Sequence, residues 1–566
     1  MCGIHVVISP SLSLSSSSSP SPLPEISSAL HQNLVSRGPD YFGQVTRSSS
    51  DQEWQLQFTS TVLALRGDHI TKQPLCDSDD SGSVLCWNGE AWRFNRGVLN
   101  EHENDGEVIF AALRKARSEE EVMGVWRGLE GPFAFVYFHS REGEQRVYWG
   151  RDRLGRRSLM VKKLDGGGVV LGSIAGNGGE EGIWEEVEAD GVYSLGLGGN
   201  GEMKRHDWIV GGEKKQFVSS IGVFNKALPS PSGETPLASD SPSVQALREQ
   251  LVESLKLRIL DIPKPPSAGT GKTRVAVLFS GGLDCTVLVR LCHDILAPHQ
   301  EIDLFNVGFE NPRVVAQLKK DAKGKGVNFY EACPDRITGR KSFAELKSVC
   351  PGRVFRFVAV NIPYSEMQVH RQKVISLIHP HNTEMDLSIA CALYFAARGQ
   401  GSITAEESSS PDSGSSPVSY TSPARVLLSG LGADELFGGY SRHPAAFQRA
   451  GYAGLVDELV LDVSRLGKRN LGRDDRVMAH WGKEVRFPFL DERLVEWAIA
   501  TPAWEKCDFE NGDEKSGVEA GKRVLRLLAM ELGMEGVAKE KKRAIQFGSR
   551  TAKMESGRVK GTTLLS

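Results

Sequence analysis

One junction constrains this chain more than any other. The apolar run Arg274 to Phe279 leads directly into Ser280-Gly281-Gly282-Leu283-Asp284, which opens a helix carrying Val287, Leu288, Leu291 and Ile295 on one face. A short β-branched run, a glycine turn and an amphipathic helix make the first half of a βαβ unit. That order predicts a mostly parallel sheet covered by helices. The glycines allow successive backbone N–H groups to turn towards an anion. The helix N-terminus adds its dipole and Ser280 a hydroxyl. No lysine follows the glycines, which excludes the Walker type of phosphate loop.

A second glycine loop, Ser429-Gly430-Leu431-Gly432-Ala433-Asp434-Glu435, follows the short strand Arg425 to Leu428, and Gly438-Gly439-Tyr440 continues its turn. Both loops therefore sit at the carboxyl ends of strands, where open α/β sheets bind their ligands. Asp284 and Asp434 are then placed to bind the Mg²⁺ that accompanies phosphates.

Four stretches interrupt the pattern: Ser9 to Pro24, Gly166 to Gly182, Ala227 to Ser243 and Ser402 to Pro423. Rich in serine, glycine or proline, they bury too little apolar surface to offset chain entropy and read as flexible loops or linkers. The third is the best boundary, because Leu247, Leu251, Leu255 and Ile259 recur every fourth residue from Val244 to Leu260. The half before it is strand-rich, with Val84 to Trp87, Phe133 to Phe138, Val147 to Trp149 and Val169 to Leu171 separated by glycines. A net charge of -3 over 566 residues gives no basic excess for a nucleic-acid partner. No apolar run approaches the roughly 20 residues of a membrane span. Nine cysteines without a C-x-x-C spacing argue against a disulfide framework or zinc site and suit a cytoplasmic, reducing location.

In the strand-rich half, Cys2 directly follows Met1. With Met1 removed, the Cys2 α-amine would serve as the base for its own thiol, since such an amine titrates near pH 8, at about 7.7–8.0. Downstream stand Arg37-Gly38-Pro39-Asp40, Arg66 ahead of Gln73-Pro74, Asn88-Gly89-Glu90 after a strand, Asp105 just before a helix (Val108, Ile109, Ala112, Leu113), and Gly150-Arg151-Asp152. Glutamine hydrolysis needs such a set: a cation for the α-carboxylate, carboxylates for the amine, and two donors for a tetrahedral oxyanion.

Over residues 2–210 the sequence resembles the class II glutamine amidotransferases, in the arrangement of glutamine-dependent asparagine synthetases. The resemblance implies Cys2 as nucleophile, Asn88 and Gly89 as oxyanion hole, Arg66 on the α-carboxylate, and Asp105 with Glu90 on the amine. The implied fold is an Ntn-hydrolase-like sandwich of two antiparallel sheets between helices. Residues 211–243 read as a linker. Residues 244–555 resemble the family's α/β ATP pyrophosphatase domain, interrupted by an insert at 402–423 and followed by a tail at 556–566. Glu484-Val485-Arg486-Phe487-Pro488-Phe489-Leu490-Asp491 and Lys522-Arg523-Val524-Leu525-Arg526 match two of its segments. ATP would lie on Leu278, Ser280, Gly281, Gly282, Asp284, Ser429 and Gly430, with Mg²⁺ on Asp284 and Asp434 and Lys522 supporting adenylation. Asp335 to Arg340, Asn470 to Val477 and Lys542 to Arg550 are similar to the asparagine synthetase domain-containing protein 1 branch of that family.

Three departures stand out. Ser36 replaces the family's histidine before Arg-Gly-Pro-Asp, Leu431 replaces a glutamate between two glycines, and Asp386-Leu387-Ser388-Ile389-Ala390 replaces a threonine/arginine segment. The resemblance implies glutamine, ATP and aspartate as substrates, no nucleic-acid or membrane partner, and allows a homodimer. Three readings stay open: an asparagine-forming synthetase, an amide ligase for another carboxylate, and a regulatory protein that binds glutamine or ATP without turnover.

Overall fold

A computed structural model describes residues 2–11, 26–77, 82–100, 102–141, 144–164, 167–176, 183–198, 201–211, 217–230, 235–263, 273–321, 328–404, 407, 417–511, 517–554 and 560–565. Most of the serine tract after Ser11, part of the glycine-rich stretch, much of the insert at 402–423 and about half of the tail lie outside the described residues. The chain forms two compact units. One comprises residues 1–215 with 376–381 and 465–483, and the other comprises the remainder.

The first unit holds two six-stranded sheets in which the registered pairs are antiparallel. The strand Phe133–Arg141 shows how they pack. Ala134, Val136 and Phe138 join Ile4, Val6, Leu56 and Phe58 in a core drawn from both sheets. Phe133, Phe135 and Tyr137, on the opposite face, meet the helices Asp105–Lys115 and Glu119–Arg127 through Ile109, Leu113, Val122 and Trp126. Both faces of this strand are buried, so its sequence is a continuous apolar run. Trp126 stacks on Phe135 with ring centroids 3.5 Å apart. Asp105 is the first residue of its helix, whose N-cap is Asn104, so the helix begins earlier than the apolar spacing indicated. The helix Leu471–Ala479, distant in sequence, belongs to this unit. There Arg476 forms an ion pair with Glu186 and donates to Ser158 Oγ (2.9 Å) and the Leu377 carbonyl (2.8 Å).

The second unit is built on a seven-stranded sheet. Val275–Leu278 pairs in parallel with Ile302–Phe309 on one side and Val426–Leu428 on the other. Phe355–Ile362 and Glu484–Arg486 extend the parallel ladder outwards. The mostly parallel sheet expected from sequence is present, and Gln400–Ile403 and Val418–Thr421 add an antiparallel edge. Two successive helices, Tyr364–Ile378 and Glu384–Arg398, explain the reversal: they return the chain to the end from which it left, and Gly399 (φ +67°) turns it directly into an opposed strand. The described residues of the expected linker are also anchored in this unit. Val218, Phe224 and Leu237 are buried, and the Asn225 N–H donates to the Ile499 carbonyl at 2.8 Å. The helix Pro242–Ile259 follows, with proline in its first turn. Among the described residues no helix is long and apolar enough to cross a membrane.

Trp126 is fully buried between helix and sheet, so Trp126→Ala is expected to destabilise the first unit by about 3–5 kcal/mol. Urea unfolding followed by near-ultraviolet circular dichroism measures it. A loss under about 1 kcal/mol would contradict this packing.

Candidate functional site

In the first unit, Cys2 precedes the strand Gly3–Pro10, which lies between its neighbours Trp54–Val62 and Val169–Gly172. The Gly3 N–H donates to Thr61 Oγ1 at 3.0 Å, and Thr61 Oγ1 donates to the Leu34 carbonyl at 2.7 Å. Arg37 Nε donates to the Cys2 carbonyl at 3.3 Å. Gln73, whose importance no spacing signals, donates through Nε2 to Cys2 Sγ at 3.9 Å and accepts the Trp87 N–H at 2.8 Å. The fully buried side chain of Asn88 has neither its amide nitrogen nor its oxygen hydrogen-bonded. Leaving such an amide unpaired costs on the order of 1–3 kcal/mol. A Cβ at Gly89 would stand 2.4 Å from the Pro132 carbonyl, so this turn excludes every side chain.

Asp105 Oδ2 accepts from Trp87 Nε1 (3.1 Å) and the Ala91 N–H (2.8 Å). Burial pushes its carboxyl above the usual range, with Arg66 and these donors working in the other direction. Glu90 Oε2 lies 3.7 Å from Arg66. The guanidinium of Arg66 itself donates to the carbonyls of Glu103, Ala91, Leu99 and Asn100 at 3.1–3.2 Å. It is thus bound to backbone rather than held open as a bidentate fork. Asp152 accepts from the N–H groups of Phe133, Leu154 and Arg156, and Arg151 donates to the Arg157 carbonyl, so both brace a turn. Ser36 donates to the Gln32 carbonyl one turn back in its own helix.

The second unit places both glycine loops at the carboxyl ends of adjacent strands, Val275–Leu278 and Val426–Leu428. Here the sheet's winding reverses, so the crevice follows from topology. A Cβ at Gly430 would meet Asp284 Cβ at 2.8 Å. One at Gly281 (φ +80°) would meet Gly339 backbone at 2.5 Å. Gly430 thus lets the second loop reach Asp284, and Gly281 lets the first loop reach the helix Pro334–Val349. The Asp335-to-Arg340 segment secures the arrangement. Asn306 Nδ2 donates to the Phe279 and Asp335 carbonyls (both 2.9 Å), Arg336 Nε donates to Asn306 Oδ1 (2.7 Å), and Ser342 Oγ donates to the Gly281 carbonyl (2.7 Å).

The two carboxylates converge on one ammonium. Lys522 Nζ lies 2.8 and 2.7 Å from the Asp284 oxygens and 2.6 Å from Asp434 Oδ1, and Lys542 pairs with Asp434 Oδ2. Burial opposes the charge of Asp434, but Lys522 and Lys542 more than offset it and hold the carboxyl well below the usual range. Burial likewise opposes the charge of Lys522, and Asp284 and Asp434 raise its value in turn. Lys522 adopts φ +56°, a left-handed conformation costing a non-glycine residue on the order of 1–3 kcal/mol. The Lys522 N–H donates to the Phe437 carbonyl, and Arg526 Nε donates to the Gly521 carbonyl, which together hold that strained residue. A Cβ at Gly439 would fall 2.0 Å from Asp434 Oδ1 and 2.2 Å from Lys522 Cε. Glu435 is buried, and burial and Asp434 both raise its carboxyl value. It accepts from the Tyr440 hydroxyl at 2.6 Å. Leu431 is half-buried, its N–H donating to Ser429 Oγ.

The Asparagine synthase family profile matches residues 405–457 and 448–562, and the Glutamine amidotransferase domain profile matches residues 61–176. A mouse protein, asparagine synthetase domain-containing protein 1, is 32% identical, over 99% of this chain and 98% of its own length. The human protein of that name is 33% identical over 94% and 93%. This chain belongs to the asparagine synthetase domain-containing protein 1 family. A yeast relative, asparagine synthetase domain-containing protein YML096W, is 31% identical over 94% of this chain and 90% of its own length. The glutamine amidotransferase match covers Arg66, Gln73, Asn88, Gly89, Glu90 and Asp105, and the asparagine synthase match covers Asp434 and Lys522, whereas Cys2 and the loop at Ser280 to Asp284 lie outside both.

Removing the Lys522 charge tests the carboxylate pair. The folded value of Asp434 lies below its ordinary 3.8, so its contribution to stability is present above about pH 4 and lost as the pH falls. Lys522→Met leaves the two carboxylates with less compensation. With Lys522 gone, burial acts on Asp434 with less opposition and raises its value in the variant, so the expected cost of about 3–5 kcal/mol at neutral pH shrinks as the pH is lowered towards 4 and that carboxylate takes up a proton. Thermal melts between pH 4 and 8 measure it, and a deficit independent of pH would contradict the assignment.

Proposed function

We propose that this chain is a glutamine-dependent, ATP-using amide ligase. The Cys2 thiol attacks the glutamine carboxamide. With Met1 removed, the Cys2 α-amine takes the thiol proton and later delivers it to the leaving ammonia. The unpaired Nδ2 of Asn88 and the backbone N–H of Gly89 are assigned to the developing oxyanion. Asp105 and Glu90 are assigned to the substrate amine. Arg66, the cation beside them, receives the α-carboxylate as its bonds to the Leu99 and Asn100 carbonyls are exchanged for it.

The observation that carries the second half of the reading is the convergence of Asp284, Asp434 and Lys522 beneath two glycine loops. We assign the anionic phosphates of ATP to the loop N–H groups, with Leu278, Ser280, Gly281, Gly282, Ser429 and Gly430 forming the cradle. Lys522 supports the α-phosphate as a carboxylate acceptor displaces pyrophosphate. The oxygens of Asp284 and Asp434 already surround a cation at 2.6–2.8 Å, and hard carboxylate donors of this kind suit Mg²⁺. Among the described residues no cluster of three or more acidic, histidine or cysteine side chains surrounds a point, so phosphate oxygens and water would complete the set. When bound, Mg²⁺ supplies charge neutralisation for the phosphates. Ammonia then attacks the acyl adenylate, giving amide and AMP.

Aspartate is the default acceptor, with asparagine as product. A second reading, another carboxylate, is favoured by Leu431, which accepts no side-chain hydrogen bond beside the phosphate loop. The all-free cysteines fit the cytoplasmic location expected from sequence.

Four variants test these assignments. Cys2→Ala is expected to abolish glutamine hydrolysis while free ammonia still supports the ligase. Loss of ammonia-dependent turnover in a folded Cys2→Ala protein would overturn the division into two reactions. Asp284→Asn or Asp434→Asn is expected to lower pyrophosphate release by orders of magnitude and spare glutamine hydrolysis. ATP turnover at the wild-type rate in both would show the nucleotide to be misplaced. Leu431→Glu is expected to raise asparagine formation, since one charged transition-state contact is worth about 2–4 kcal/mol, or roughly 30- to 1000-fold in rate. Strong wild-type asparagine synthesis that this change diminishes would contradict the view of Leu431.

A further inference from the structure

The peptide joining Cys2 to Gly3 is gripped from both sides, by Thr61 on the Gly3 N–H and by Arg37 on the Cys2 carbonyl. Arg37 is fully buried and depends on a partner in turn. Its Nη2 donates to Asp475 Oδ2 at 2.9 Å, and the Asp475 side chain is fully buried as well. The same Asp475 oxygen accepts the Ser158 N–H at 3.2 Å, and Arg157 Nη1 lies 3.7 Å from the other oxygen. Asp475 stands 438 residues from Arg37 in sequence, on the helix Leu471–Ala479. Its neighbour Arg476 fixes that helix through Glu186, Ser158 and the Leu377 carbonyl. Burial opposes the Glu186 charge, yet Arg476 and Arg151 lower its carboxyl value to about 2, so this anchor stays ionised at any ordinary pH.

We propose that Asp475 is a positioning residue for the Cys2 thiol. Its carboxylate holds the Arg37 guanidinium in one orientation, and Arg37 then holds the carbonyl of Cys2. Without that grip the Cys2–Gly3 peptide plane can rotate about the Gly3 bond to Thr61, and the thiol swings away from Gln73. The proposal rests on the reading of Cys2 as the glutaminase nucleophile. Its consequence is that the first 215 residues do not complete the amide-cleaving site, because a helix encoded near residue 475 supplies the support beneath the nucleophile. The segment Asn470 to Val477 is a recognisable motif, but nothing in the sequence links its Asp475 to Cys2.

A misplacement of about 1 Å costs a reaction of this kind on the order of 100-fold. In the full-length protein, Asp475→Asn is therefore expected to lower kcat for glutamine hydrolysis roughly 10- to 100-fold with KM changed less than about threefold, since substrate contacts remain. The rate of Cys2 alkylation by iodoacetamide should change with it, while the ammonia-dependent ligase reaction stays at the wild-type level. Asp475→Glu, which keeps the charge, should recover part of kcat. Because a buried unpaired Arg37 alone can impair folding, the double variant Arg37→Met/Asp475→Leu removes both charges together. It is expected to melt near the wild-type temperature and still hydrolyse glutamine as slowly as Asp475→Asn. Wild-type kcat in the double variant, or a loss in Asp475→Asn accounted for by its unfolded fraction, would overturn the proposal. A folded wild-type protein that hydrolyses no glutamine would instead overturn the underlying reading of Cys2, and the positioning role with it.

Discussion

The ammonium of Lys522, held between Asp284 and Asp434, is the contact around which the second unit is arranged. Each carboxylate follows the glycine loop of a different strand, and the lysine comes from a third segment more than 80 residues beyond the second loop. Bringing a buried and a half-buried carboxylate together is unfavourable unless a cation lies between them. The glycines at 430 and 439 remove the side chains that would crowd Asp284, Asp434 and Lys522. The backbone at Lys522 accepts a left-handed conformation to place its side chain there, and Arg526 and Phe437 brace it. Such strain, persisting where surrounding contacts over-determine it, belongs to sites rather than to scaffolding.

The first unit uses a different device. Its nucleophile candidate sits beside a central strand, and buried ion pairs secure the segments around it. Breaking one partner of such a pair strands a charge in low dielectric, so each pair is sensitive to loss of a single member. That property lets a helix encoded late in the sequence become an integral part of an early domain. Like Nη1 of Arg37, the buried side-chain amide of Asn88 has no hydrogen-bond partner. Its neighbour Arg66 is the opposite case, bound to four carbonyls.

Much of this was legible from residues alone, where short-range physics decides. The glycine loops announced the carboxyl ends of two strands, and Leu247 to Ile259 announced the first helix of the second unit. Two kinds of feature stayed hidden. Strand direction at the sheet edge depends on how many helices precede it, and the paired helices before Gln400–Ile403 reverse it without any local signal. Side-chain partners far apart in sequence leave no periodic trace. The segment Asn470 to Val477 was recognisable as a family motif, but its place in the first unit, with Asp475 on Arg37, follows only from the fold. Gln73 likewise looks like an ordinary residue before a proline until its amide is seen spanning Cys2 and Trp87.

The central claim is that a nitrogen released at Cys2 ends in an amide formed at the expense of ATP cleaved to AMP and pyrophosphate. Supplying glutamine labelled with ¹⁵N in its side-chain amide, together with MgATP and a panel of carboxylic acids led by aspartate, tests this in one reaction followed by mass spectrometry. The account expects the label in a new carboxamide, with AMP and pyrophosphate formed in equal amounts to it and no transfer in Cys2→Ala. Label appearing only as free ammonia while ATP is untouched across the panel, in a protein that folds and binds both substrates, would contradict it.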